Sequence, residues 1–154
     1  MNGDIVSLDI QKRSPLFYVG DKYKLMPQLT KLFPGNIATF YDVFCGGGSV
    51  SLNVTAKKYS LNDLDKNILL LHKALYKNSN DISGYIKRMY SLIEEYELSH
   101  SEISINDELS ELKKIYKKTH FARYNKEKYI HLKKDYNNDK QNMDLLYLLL
   151  VYGF

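Results

Sequence analysis

The sequence predicts an α/β fold in which a short parallel half-sheet comes first and a wholly helical stretch follows. Three observations carry that reading. The apolar run 37–44 ends in Cys45-Gly46-Gly47-Gly48 and returns at once to helical spacing, the pattern of a strand, a tight loop and a crossover helix. A second short run ends at Leu61 and leads into Asn62-Asp63-Leu64-Asp65, which puts Asp63 17 positions after Gly46. Beyond Asn78 the strand signal disappears.

Each element has a local reason. Ser14-Pro15 opens a segment that turns at Gly20-Asp21, after a polar start over residues 1–13 that is expected to be loosely held. Leu25, Leu29 and Leu32 give residues 24–33 helical spacing, and Pro34-Gly35-Asn36 stops that helix. Residues 37–44 are rich in β-branched and aromatic side chains and read as a buried strand. The helix after the glycines is predicted over 49–57 and a second parallel strand over 58–61. A helix over 64–76 would turn Ile68, Leu71 and Leu75 inward. Further helices are predicted over 82–98, 107–118, 125–136 and 140–152, the last too short in its apolar run to cross a bilayer. The composition shift near residues 77–81 places a boundary between residues 1–78 and 79–154. Two strands do not make a stable open sheet, so the chain reads as stopping in the middle of a fold.

Composition sets outer limits. A chain of 154 residues holds one compact domain, or one with a small insertion, and 44% hydrophobic with 26% charged residues excludes general disorder. The single Cys45 excludes an internal disulfide, and without a secretory segment the expected location is cytoplasmic. The net charge of +4 is unevenly spread: residues 81–110 carry seven acids and two bases, residues 111–134 nine bases and two acids. The second block includes Lys113, Lys114, Lys117, Lys118, Arg123 and Lys126, and reads equally as a solvated helix face or as a surface for phosphate.

The glycine loop is suited to close approach, because residues without a β-carbon take positive φ and bring backbone N–H groups up to a bound group. A carboxylate about 20 residues further on, at the end of the next strand, is placed for ribose hydroxyls. Asp63 alone would more often be a helix N-cap for Leu64 onward, and one carboxylate can do both jobs. Cys45 reads as a small packed residue rather than a nucleophile, since no histidine has a motif relation to it. His72, His100, His120 and His131 lack ligand spacing, and no metal is expected.

In order and spacing, three motifs resemble the N-terminal part of the Dam-like (D12 class, α-group) DNA adenine N6-methyltransferases. They are Tyr18-Val19-Gly20-Asp21-Lys22, the stretch from Asp42 to Val50, and Asn62-Asp63-Leu64-Asp65. Tyr152-Gly153-Phe154 is similar to the start of the segment leading into that family's DNA-reading hairpin. The resemblance implies a Rossmann-like half-sheet that binds S-adenosylmethionine (AdoMet), followed by the helical part of a recognition domain for double-stranded DNA. It places Tyr18 and Lys22 beside the methionine end and wraps Phe44, Cys45, Gly46, Gly47 and Gly48 around the cofactor. It also puts Asp63 on the ribose and Asp42 at the methionine amino group.

One departure matters most. The family's catalytic Asp/Asn-Pro-Pro-Tyr/Phe motif is absent, since Pro15, Pro27 and Pro34 are the three prolines and none are adjacent. The chain alone is therefore expected not to methylate DNA. A second polypeptide would carry the catalytic half, or the chain is a remnant, and the unfinished sheet is expected to self-associate. A non-enzymatic DNA-binding protein keeping the loop as structure is the main alternative. A dinucleotide oxidoreductase ranks low because Gly46-Gly47-Gly48-Ser49-Val50-Ser51 lacks the third glycine of Gly-x-Gly-x-x-Gly.

Overall fold

The computed structural model describes residues 11–100 and 107–153. The expectations for the polar residues 1–10 and for Phe154 lie outside that range. The fold is mixed α/β and mostly helical, with one two-stranded parallel sheet among the described residues. The chain divides into two compact units, one up to residue 69 and one from residue 70 onward.

The first unit opens with Leu16, 3% exposed, and a short helical passage. The spacing predicts one helix over 24–33; the structure has a 3-10 turn at Tyr23–Leu25, helix α1 at Met26–Leu29 and a second 3-10 turn at Thr30–Leu32. Pro27 is the physical reason, because it has no N–H with which to continue an α-helical ladder from the preceding turn. Met26 instead donates three residues back, to the Tyr23 carbonyl.

Strand β1 (Ile37–Asp42) pairs in parallel with β2 (Ala56–Leu61), in a register running from Ile37 opposite Ala56 to Asp42 opposite Leu61. Between them lies α2 (Ser49–Asn53), four residues shorter than the predicted 49–57. Asn53 ends it early: its Nδ2 donates to the Ser49 carbonyl at 2.8 Å and to the Lys12 carbonyl at 2.7 Å. Val54 is then extended at φ −104°, ψ 134°. Tyr59 Oη donates to the Val54 carbonyl at 2.7 Å and accepts from the Ala56 N–H at 2.9 Å, so β2 begins two residues before the predicted 58. α3 (Lys66–Asn78) follows, with Ile68 and Leu71 buried as predicted and Leu75 half-buried.

The second unit is helical: α4 (Ile82–Glu95), α5 (Asp107–Tyr116), α6 (His120–Tyr124), α7 (Lys126–Asn138) and α8 (Met143–Tyr152). Its core gathers Met89, Tyr96, Leu98, Leu132, Leu145, Leu148 and Leu149. The apolar run of α8 is thus a buried helix, and no helix among the described residues is long and apolar enough to cross a membrane. Side-chain caps start two helices: Asp81 accepts from the Gly84 N–H at 2.9 Å, and Asn142 from the Leu145 N–H at 3.2 Å. Arg88 Nε joins α4 to α8 by donating to Asp144 Oδ2 at 2.7 Å. A buried polar knot holds the ends of this bundle. Ser99 N–H donates to Asn125 Oδ1 at 2.9 Å, Asn125 Nδ2 to Ser99 Oγ at 2.8 Å, and Tyr152 Oη to the Ser99 carbonyl at 2.7 Å. Tyr152 therefore acts in helix packing.

Candidate functional site

The site is built where both strands end. Past Asp42 the chain leaves the sheet: Asn62 N–H donates to the Asp42 carbonyl at 2.8 Å, and Cys45 N–H to the Asn62 carbonyl at 2.9 Å. These two bonds fasten the start of the glycine loop to the end of β2. Gly48 N–H closes the loop onto the Cys45 carbonyl at 2.7 Å. Gly46 (φ +45°) and Gly48 (φ +82°) are left-handed, where a side chain is strained, so at these two positions the sequence needs glycine. A β-carbon on Gly46 would also lie 3.1 Å from the Tyr18 ring, and one on Gly47 3.2 Å from the Leu16 carbonyl oxygen.

Asp63 holds the loop from the other side. Its Oδ2 accepts from the Gly46 N–H at 2.8 Å and its Oδ1 from the Asp65 N–H at 3.0 Å. The capping role that Asp63 alone would have suggested falls to Asp65, which sits just before α3 and accepts from the Asn67 N–H at 2.9 Å.

Around the loop lies a cavity of about 210 Å³. Residues 18–22, residues 44–47, Ser49, Val50 and Asp63 line it. Whole-ligand pockets run to roughly 300–1,000 Å³, so this one is sized for one end of a larger ligand. Of the sequence-predicted cofactor residues, the structure brings together Tyr18, Lys22, Phe44, Cys45, Gly46, Gly47 and Asp63 on this cavity. Gly48 turns the backbone behind it. Asp42 is buried and accepts from Ser51 Oγ at 2.6 Å, outside the lining.

The electrostatics are those of a shielded acidic floor. Burial pushes the Cys45 thiol up to about 11, with the Asp42 and Asp63 carboxylates adding to the effect. A thiol so placed stays protonated at neutral pH and packs, in keeping with its being buried. Burial, then Asp65 and Asp63, also push the Tyr18 phenol up, so its hydroxyl is a donor throughout the physiological range. Lys22 Nζ donates to the Gly20 carbonyl and brings a cation to the lining. The cavity thus gathers a phenol, an ammonium and a carboxylate, a set that complements a zwitterion carrying a diol. No cluster of three or more His, Cys, Asp or Glu side chains among the described residues is placed to hold a metal ion.

Some contributors were not legible in the sequence. Ser14, 33 positions away, donates from Oγ to the Gly47 carbonyl and accepts from the Leu16 N–H at 3.0 Å. No local pattern signals such a long-range tie. Ser49 and Val50 follow directly from the helical return after Gly48 and were open to prediction as walls.

The basic residues lie on consecutive helical pieces of the second unit. Lys113 and Lys114 are on α5, Lys117 and Lys118 on the 3-10 turn Lys117–Thr119, Arg123 on α6 and Lys126 at the start of α7. All six are exposed. Lys114 pairs with Glu111 at 2.5 Å, and the Arg123 guanidinium lies 4.9 Å from the centre of the Tyr116 ring.

Comparison with known proteins gives a consistent answer. The pattern of D12 class N6 adenine-specific DNA methyltransferases matches residues 18–152. Modification methylase StsI of Streptococcus sanguinis is 55% identical over 56 residues, which cover 36% of this chain and 9% of that protein. Type II methyltransferase M.FokI of Planomicrobium okeanokoites is 34% identical over 143 residues, 92% of this chain and 18% of its own length. Modification methylase LlaI of Lactococcus lactis subsp. lactis is 26% identical over 142 residues, 92% of this chain and 19% of its own. The chain spans less than a fifth of the length of these relatives.

Proposed function

The chain belongs to the D12 class N6 adenine-specific DNA methyltransferases, and from that premise we propose that it forms the cofactor-binding part of an adenine-specific DNA modification enzyme of restriction-modification type. The observation that carries this reading is the Gly46 to Gly48 loop. It is held by Asp63 through the Gly46 N–H at 2.8 Å and shares with Tyr18 and Lys22 the lining of a cavity suited to one end of a zwitterionic ligand.

In this reading β1, α2 and β2 are the opening of a Rossmann-like sheet, and residues 1–78 bind AdoMet while residues 79–154 begin the recognition domain. Lys22 and Tyr18 take the methionine end, and the backbone of Phe44, Cys45, Gly46 and Gly47 lines it. Asp63 is placed for the ribose hydroxyls, while Asp42 and Gly48 hold the loop. Bound AdoMet would supply the electrophilic methyl group for the N6 of an adenine flipped out of the duplex. This chain's share is to bind and orient that cofactor and to keep water from its methionine end.

The group that would hold the flipped adenine is not within residues 1–154, which contain no Pro-Pro pair. The 154-residue chain therefore binds cofactor without transferring its methyl group. Further strands would cover β1 and β2, where Tyr41 of β1 and Val43 just past it are exposed. Lys113, Lys114, Lys117, Lys118, Arg123 and Lys126 would contact the phosphates of double-stranded DNA, positioning it without reading sequence.

Calorimetric titration with AdoMet, with NAD as control and circular dichroism to verify the helices, tests the cofactor reading. Selective binding at a dissociation constant of roughly 0.1–1 mM, about 4–5.5 kcal/mol, is expected. A folded chain that binds neither ligand, or both alike, overturns it.

A further inference from the structure

Two buried side-chain polar atoms among the described residues of the first unit make no hydrogen bond, Gln11 Nε2 and Ser49 Oγ, and of the two residues Ser49 lines the cavity. Ser49, the first residue of α2, is 3% exposed. A hydroxyl cut off from water and left without a partner is destabilising, so buried polar groups are almost always satisfied. The neighbouring serines show what satisfaction looks like here: Ser14 Oγ reaches the Gly47 carbonyl, and Ser51 Oγ reaches Asp42 Oδ2 at 2.6 Å. A serine at position 49 packed for shape alone would be served as well by alanine.

The kind of group that would satisfy it follows from the lining. Lys22 supplies a cation in the lining, so an anionic ligand group is drawn to it. The Asp63 carboxylate is also part of the lining, and a carboxylate there favours a cationic group. A serine has one rotatable bond with three staggered wells, and its oxygen has two lone pairs, so it can turn to an incoming donor without moving the backbone.

We infer that Ser49 Oγ accepts a hydrogen bond from the α-ammonium of the bound cofactor's amino-acid end, making it a specificity contact that distinguishes ligands with that ammonium. This rests on the AdoMet reading of the cavity.

The test compares the 154-residue chain with its Ser49→Ala variant, using NMR titration with AdoMet and with decarboxylated AdoMet, which keeps the amine and lacks the carboxylate. Thermal unfolding without ligand is measured on both proteins. The expected result is a roughly tenfold weaker affinity of the variant for both ligands, with a melting temperature unchanged or raised. Unchanged AdoMet affinity overturns the inference. So does a lowered melting temperature, which would give the hydroxyl a structural partner, and so does a loss confined to AdoMet, which would assign the contact to the carboxylate. If the unsubstituted chain binds neither ligand, the cofactor reading itself fails and takes this inference with it.

Discussion

Gly46 combines two demands that no other residue meets: a φ of +45° and a position against the Tyr18 ring. Gly46→Ala is expected to cost about 1–3 kcal/mol in urea unfolding, the sum of a left-handed backbone and a displaced ring. Gly47→Ala meets the Leu16 carbonyl at 3.2 Å and Tyr18 Cβ at 3.3 Å but carries no left-handed backbone, and should cost less. Cys45 gives a pH prediction whose sign can be worked out. Its thiol ionises near 9 when exposed and near 11 in the fold, so it adds stability that is fully present below pH 9 and lost as pH rises toward 11. Alkylation by iodoacetamide should accordingly be slow at pH 8 and rise steeply only as the fold is loosened by denaturant. The residues that sequence reasoning could find here are those bound by spacing, such as Gly46 and Asp63. Ser14 escaped because its partner is 33 positions away, and the displacement of the helix cap from Asp63 to Asp65 escaped because both carboxylates fit the pattern equally well.

At the scale of elements, legibility followed burial. The α8 run and the inward face of α3 were readable because apolar spacing and burial coincide there. The early end of α2 was not, since it depends on the Asn53 side chain reaching back to the Lys12 carbonyl, a contact made by the fold rather than by the local sequence. The division of 24–33 into three short turns was readable in principle from Pro27, but the leucine spacing outweighed it. The caps of the second unit offer a direct check: Asp81→Ala and Asn142→Ala should each destabilise by about 1 kcal/mol, with the loss reported by the melting of the helical far-ultraviolet signal. Leu132→Ala and Leu148→Ala, at 0% and 1% exposure, should each cost about 2–5 kcal/mol in the same measurement.

For the molecule as a whole, the uneven charge is the feature with the largest reach. Nine bases lie between residues 111 and 134. If Lys117, Lys118 and Arg123 each meet a phosphate, their joint replacement by alanine should flatten the dependence of log Kd on log salt by about 2.7, at roughly 0.9 per contact. Fluorescence anisotropy on duplexes of unrelated sequence would read this, and the loss should be alike for each. An unchanged slope would return these residues to a solvated face.

The parallel pairing of β1 and β2 also sets a limit on chain length. A six-residue strand is about 20 Å long, and the chain must travel back that far to start the next strand in parallel. The thirteen residues 43–55 do this, of which the five of α2 advance only about 7.5 Å. The glycine loop is therefore part of the tether as well as part of the cradle. Parallel strands need a crossover of a dozen residues or more, so this one operates with almost no slack. Removing several residues from it would pull Asp42 and Leu61 out of register, whereas sequence added after Asn78 would leave the strand pair untouched.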